Sequence, residues 1–296
     1  MLAVIPFPQI DPVLIHIYGP IAIRWYALSY IAGLLLGWWY ALVMLRDKSL
    51  WTNPPFNGKP PATADQIGDL LVWATLGVIL GGRLGWDIFY GTFLCSASPG
   101  AAFCKGLPME FLTNPIRIVA AWEGGMSFHG GAIGVILAIW FFCRRNKLSF
   151  VMIGDIVCLV QPIGQFFGRI ANFVNGELWG KPSDVPWAMV FPRAGPLPRH
   201  PSQLYEAALE GILLFVVLQI CLRVFRLHER PGLISAIFLA GYGCLRFVVE
   251  FFREPDTQFV GWFSMGQALS VALILAGAYV AWWALSKPKP LKPQPQ

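Results

Sequence analysis

The chain has 296 residues, 56% of them hydrophobic and only 13% charged, against roughly 25% charged in an ordinary soluble domain. That balance excludes a soluble globular enzyme and predicts an all-α integral membrane protein. The net charge of +6 comes from scattered basic residues, not from a basic tract interleaved with aromatic platforms, so no nucleic-acid partner is expected.

A membrane-crossing helix needs about 20 mostly apolar residues. The opening stretch, MLAVIPFPQIDPVLIHIYGP, carries Pro, His and Asp and is an unlikely span. It also lacks the basic region and small-residue cleavage site of a signal peptide, so none is expected. Seven transmembrane helices are predicted, over 21–45, 68–92, 128–143, 151–168, 204–222, 233–252 and 264–285. The third and fourth are short and carry Gly130, Gly131, Gly134, Pro162 and Gly164. Such segments are tilted, partly re-entrant, or packed closely on neighbours through their glycines. Residues 1–286 then form a single polytopic membrane domain, with longer loops at 93–127 and 169–203. Residues 287–296 form a basic, Pro-rich, disordered tail.

Loop charges set the orientation. With the N-terminus outside, the inside segments hold clusters such as Arg144, Arg145 and Lys147, and Arg223, Arg226 and Arg230. The outside basic residues fall almost entirely in the two long loops, which weigh little in the rule. The prediction is N-terminus outside and C-terminus inside. In that frame His129, Arg169, Arg246, Glu250, Tyr26, Arg83 and Asp87 all lie toward the outer leaflet. Cysteines 143, 158, 221 and 244 sit in apolar segments, where they pack as small residues. Cys95 and Cys104 share one outer loop, where an oxidising compartment would permit a disulfide. No CxxC or metal-ligand spacing occurs, so no metal is expected.

Three arginines, Arg83, Arg169 and Arg246, lie within or beside these spans, each with an acid near in sequence: Asp87, Glu177 and Glu250. A charge at bilayer depth costs at least ~2.5–3.5 kcal/mol and is usually functional. Guanidinium matches phosphate in bidentate geometry. In GQFFGRIANFVNGELWG (164–180), glycines allow close backbone approach, Arg169 can grip an anion, and the Asn amides can donate to phosphate or ester oxygens. A helix exit with a snorkelling arginine is the plainer alternative. In WEGGMSFHGGAIG (122–134), His129 is either a general base or a hydrogen-bonded interfacial histidine. In GYGCLRFVVEFFREPD (241–256), Tyr242, Arg246 and Glu250 recur at i, i+4, i+8 and share a helix face. Glu250 either cancels the charge of Arg246 or orients it toward a ligand. In PRHPSQLYEAALEG (198–211), Arg199 and His200 either touch a headgroup or form a turn, and Glu206 suits the helix dipole. No GxSxG, HExxH or P-loop pattern is present.

The blocks HGGAIG (129–134), GRIANFVNGELWG (168–180), PRHPSQLYEAALEG (198–211) and RFVVEFFREPD (246–256), with IRWYAL (23–28), resemble the prolipoprotein diacylglyceryl transferase family in order and spacing. The resemblance covers nearly the whole chain. Residues 93–115 look like a longer outer loop than the family minimum. The resemblance implies a multi-pass enzyme of the bacterial inner membrane with seven spans. It implies transfer of the diacylglyceryl group of phosphatidylglycerol onto the lipobox cysteine thiol of a preprolipoprotein, releasing glycerol phosphate, with no cofactor. The active site would face the periplasmic leaflet, where membrane lipid and signal peptide meet. By resemblance, Arg169 and Arg246 stabilise the leaving phosphate, and His129 is the proposed base, with Tyr242 as its rival. Tyr26, Asn172, Glu177, Gly180 and Glu250 match further family positions and shape the headgroup site. Two readings compete: a transporter or flippase for an anionic lipid or solute, and a scaffold protein with no convergent polar site.

Overall fold

The computed structural model describes residues 5–8, 10–18, 21–88, 126–254, 258–260 and 263–288. A segment that is apolar on most sides has no water to satisfy its peptide groups in a bilayer, so it closes them within a helix. Seven such helices are present among the described residues: α1 (Trp25–Arg46), α2 (Ala64–Trp86), α3 (Phe128–Asn146), α4 (Phe150–Val174), α5 (Ser202–Arg223), α6 (Leu233–Val249) and α7 (Met265–Ser286). All but α6, which is shorter, are long and apolar enough to cross a membrane. At ~1.5 Å per residue, 22 residues give about 33 Å, matching a hydrocarbon core of ~30 Å. Large apolar side chains face outward, among them Leu34, Leu35 and Trp39 on α1 and Leu275, Tyr279 and Trp282 on α7. Glu206, Glu210, Gln203 and Ser202 are fully enclosed. Apolar outside and polar inside is the arrangement of a multi-pass membrane protein.

Several boundaries depart from expectation. Residues 21–24 extend no helix: strand β3 (Ile21–Arg24) pairs antiparallel with β2 (Val13–Tyr18), and α1 begins only at Trp25. α4 does not stop near 168 but runs on to Val174, so Arg169 and Asn172 lie within the helix. The second long loop is therefore 175–201. α6 ends at Val249, and Glu250 caps it. Cys95, Cys104 and the long loop at 93–127, up to residue 125, lie outside the described residues, as do Pro255, Asp256 and the tail beyond Pro288.

The described residues fall into two compact units, Pro61–Ile153 and the remainder. In the first, α2 and α3 pack through facing glycines. A Cβ on Gly85 would lie 2.6 Å from the Gly130 Cα, and one on Gly134 would lie 2.8 Å from the Gly81 Cα while striking the Gly77 carbonyl. The backbones touch, which is how short, glycine-rich helices associate where hydrophobic burial supplies no force. Thr63 and Gln66 form a capping box at the start of α2, and the Ser127 hydroxyl accepts from the Gly130 N–H at the start of α3.

The second unit holds α1 and α4–α7. Its N-terminal segment is anchored by strand β1 (Ile5–Pro6), which pairs parallel with β4 (Met189–Val190), and by Phe7, whose ring meets Phe173 and Phe191 at 5.3 and 5.1 Å. At the opposite ends of its helices, buried His228 bonds the Leu50 carbonyl at 2.6 Å, and Glu229 accepts from Arg226 at 2.6 Å and Asn53 at 2.7 Å. Burial lowers the basicity of His228 below that of an ordinary histidine.

Gly134→Val puts branched carbon into backbone contact and is expected to cost about 1–3 kcal/mol. Thermal unfolding in detergent should show a clear fall in Tm for this variant and little change for Gly154→Ala, where the nearest atom to a new Cβ is 3.6 Å away. Equal Tm values for Gly134→Val and the parent chain would contradict the glycine-contact account.

Candidate functional site

Helical spacing brings Gln165, Arg169 and Asn172 onto one face of α4. On α5 the backbone is α-helical through Glu206, loosens into a π-helical stretch over Ala207–Leu213, then tightens again. Such stretches are rare and often sit at functional sites. Here Glu206 and Glu210 flank its start, and both face inward with no exposed surface. On α6, Tyr242, Arg246 and Glu250 share a face as their spacing predicts. Beyond it the chain turns and brings back Arg253, which is buried.

These side chains form one ionic network. The Glu206 carboxylate receives three arginines: Arg246 Nη1 at 2.6 Å, Arg169 Nε at 2.8 Å and Arg253 Nη1 at 3.1 Å. Glu210 lies farther from its partners, 3.5 Å from Arg169 Nη2 and 3.9 Å from Arg246 Nη1. Gln165 Nε2 donates to Glu210 at 2.8 Å and stands 3.5 Å from the Tyr242 hydroxyl. Arg246 Nη2 pairs with Glu250 at 2.8 Å, and the Ser264 hydroxyl donates to Glu250 at 2.9 Å. Gly266 in the first turn of α7 sits so close that a Cβ there would lie 2.6 Å from the Glu250 carboxylate. Only glycine lets the positive end of that helix approach the anion. Among the described residues, Arg169, Arg246 and Arg253 thus face Glu206, Glu210 and Glu250, three charges of each sign. Buried charge demands this, because an unpaired ion in a low-dielectric interior costs several kcal/mol.

A second cluster adjoins the first along α4. Asn172 donates to the Glu177 carboxylate at 2.8 Å and Asn175 approaches it at 3.5 Å. The Tyr26 hydroxyl is 3.1 Å from that of Tyr30 and also faces Asn172. Gln203 and Ser202 donate to the carbonyls of Glu177 and Leu178, tying the first turn of α5 to this loop. Gly180 sits at a crossing of chains: its N–H donates to the His200 carbonyl at 2.9 Å, and a Cβ would lie 2.5 Å from the Phe252 carbonyl. Arg199 bonds the Gly180 carbonyl at 3.1 Å and Glu254 at 2.6 Å. The His200 ring lies 3.0 Å from the Tyr205 hydroxyl, and burial lowers its basicity.

The structure therefore brings Arg169, Arg246, Tyr242 and Glu250 into one network and Tyr26, Asn172 and Glu177 into a neighbouring one. His129 belongs to the unit Pro61–Ile153, exposed in the first turn of α3. Arg83 and Asp87 are in that unit too, 3.7 Å apart and both buried. The acid nearest Arg169 in sequence, Glu177, is not its partner; Glu206 and Glu210 are. Glu206, read as a dipole-complementing residue, is the hub of the network. Glu210, Gln165, Arg253 and Ser264 were missed altogether. One signal was available: two acids a turn apart at the head of an apolar span require buried partners. A donor set rich in guanidinium suits an anion rather than a metal cation.

Known proteins resemble this chain over nearly its whole length. A family model described as prolipoprotein diacylglyceryl transferase matches residues 12–283. A phosphatidylglycerol–prolipoprotein diacylglyceryl transferase of Rhodospirillum rubrum is 53% identical over 286 residues, covering 95% of this chain and 94% of the relative. Proteins of the same name from Allorhizobium ampelinum and Rhizobium meliloti are each 48% identical, covering 96% and 97% of this chain and 93% and 95% of their own lengths. The chain belongs to the prolipoprotein diacylglyceryl transferase family.

Proposed function

We propose that this protein transfers the diacylglyceryl group of phosphatidylglycerol to the lipobox cysteine thiol of a preprolipoprotein, an early step of bacterial lipoprotein maturation. The observation that carries the reading is the buried arginine network at the ends of α4 and α6. In the reaction, the cysteine sulfur attacks the glycerol carbon that bears the phosphate. The carbon–oxygen bond breaks, its electron pair leaves on the phosphate oxygen, and glycerol phosphate departs as a thioether forms. The developing negative charge requires donors fixed in advance. Arg169 and Arg246 supply them: Arg169 engages the glutamates through Nε and Nη2, which leaves Nη1 without an ion pair among the described residues. The nucleophile comes from the substrate peptide, so the enzyme needs no activated Ser or Cys of its own.

The thiol, with a pKa of about 8.5, reacts as thiolate. His129 is the first candidate to take the proton, because imidazole is the side chain most often used for general acid–base work. Tyr242, beside Gln165 in the arginine network, is the second candidate. Tyr26, Asn172, Glu177 and Glu250 shape the headgroup site, and Gly180 acts through the backbone crossing that sets the 177–182 loop. Loop charges support an N-terminus outside, a cytoplasmic C-terminus and seven crossings of the bacterial inner membrane. The site then opens toward the periplasmic leaflet, where the lipid arrives laterally and the signal peptide presents its cysteine. In this reading residues 1–286 form a single polytopic membrane domain.

Purified protein incubated with phosphatidylglycerol and a lipobox peptide should yield a diacylglyceryl thioether by mass spectrometry. Product absent under conditions where the Rhodospirillum rubrum relative works would overturn the enzyme reading and favour lipid transport. Arg169→Lys retains charge but loses the planar fork, and kcat is expected to fall about 10²-fold or more; parent-level turnover would reduce Arg169 to a structural role. His129→Asn should lower turnover by about 10²-fold or more. Parent-level turnover in this variant would transfer the role of base to Tyr242.

A further inference from the structure

The proposed reaction uses Arg169 and Arg246 but leaves unexplained the carboxylate between them. Glu206 has no exposed surface. Its Oε1 meets Arg246 at 2.6 Å and Arg253 at 3.1 Å, and its Oε2 meets Arg169 at 2.8 Å. Three guanidiniums, from α4, from α6 and from the turn after α6, are thereby fixed on one side chain. Glu210, a helical turn farther along, holds the same arginines only at 3.5 and 3.9 Å. Orientation is therefore set by Glu206, not shared equally between the two acids. The hub is itself tethered. Gln203 and Ser202, in the same turn, are locked to the Glu177 and Leu178 carbonyls, and the π-helical stretch begins at the residue after Glu206.

An arginine side chain has many rotamers, and a guanidinium free to wander loses its advantage at the transition state. A buried carboxylate that fixes two of them before substrate arrives removes that reorganisation from the reaction itself. We propose that Glu206 is a positioning residue for diacylglyceryl transfer, holding Arg169 and Arg246 in the orientation that receives the leaving phosphate, with Arg253 as a brace. The inference rests on the reaction proposed above. Glu206 acts through the arginines and is not assigned contact with either substrate.

Charge gives this role a distinct kinetic signature. Glu206→Gln removes one negative charge from beside Arg169, Arg246 and Arg253. The site becomes more attractive to the anionic lipid while its donors lose their alignment. The variant should therefore lower kcat about 10²-fold, the scale seen when one preorganised donor is lost, while the KM for phosphatidylglycerol stays level or falls. A purely structural carboxylate would instead lower folded yield and Tm and leave kcat per folded enzyme unchanged. Two further variants separate alignment from simple neutralisation. Glu206→Asp keeps the charge but withdraws it by one methylene and should restore kcat only in part. Glu206→Gln combined with Arg253→Gln removes one charge of each sign without restoring the clamp and should remain slow.

The parent enzyme, assayed for thioether product in the same vesicles, reports on the reaction itself. If it is inactive, the function fails and the positioning role with it. If it is active, parent-level kcat in folded Glu206→Gln, a defect confined to KM, or recovery of kcat in the double variant would each overturn the positioning role alone. Should Glu206→Gln not fold, Glu206→Asp carries the test: kcat at least tenfold down with KM within twofold supports the role, and parent-level kcat overturns it.

Discussion

Charge buried among apolar helices must be matched, and the rest of this molecule is arranged around that demand. Arg169, Arg246 and Arg253 are held against Glu206, Glu210 and Glu250 by contacts between 2.6 and 3.9 Å. Neither α4 nor α5 balances its own charges here. α4 brings an arginine and no acid near it, α5 two acids and no arginine near them, and α6 ends in an arginine and an acid that still need Glu206 and Ser264. Separating any of them would strand an ion in a low-dielectric interior, a cost of several kcal/mol. The network thus couples the C-terminal ends of α4 and α6 to the N-terminal ends of α5 and α7, and the glycine at 266 is where that convergence is tightest.

The same constraint connects fold to chemistry. A site that must stabilise a departing phosphate needs positive charge that is already desolvated and oriented, and a lipid bilayer penalises such charge unless it is paired. Carboxylates among the arginines satisfy both conditions: they lower the cost of burial and fix the guanidinium planes. The neighbouring cluster of Tyr26, Asn172, Asn175 and Glu177 supplies uncharged donors and an acceptor beside this charge. That pairing suits a headgroup that carries both a phosphate and hydroxyls.

What the sequence made legible followed from periodicity and length. The apolar segments appear as helices, and Tyr242, Arg246 and Glu250 share a face because a strict four-residue repeat leaves no other outcome on a helix. What escaped depended on tertiary partners. GRIANFV reads as a helix exit, since Gly and Asn weaken local helix propensity. Yet Arg169 and Asn172 gain buried partners by staying helical, and α4 continues to Val174. Arg169 and Glu177 are eight residues apart and read as a couple, but the pairing is decided by α5, more than thirty residues away in the chain. Glu206 looked like an ordinary acid at a helix start because propensity arguments see one helix at a time. The start of α1 moved to Trp25 because Ile21–Arg24 found a strand partner in Val13–Tyr18.

The central claim is that planar guanidiniums grip the non-bridging oxygens of the lipid phosphate as it leaves. Turnover of the two diastereomers of phosphatidylglycerol bearing one phosphorothioate sulfur tests this most directly. Sulfur is larger than oxygen and a poorer hydrogen-bond acceptor, so a fixed arginine fork should discriminate between the two positions. The account predicts that one diastereomer reacts at least tenfold more slowly than the other, and that Arg246→Lys erodes the difference. Equal turnover of both diastereomers by the parent enzyme would contradict it.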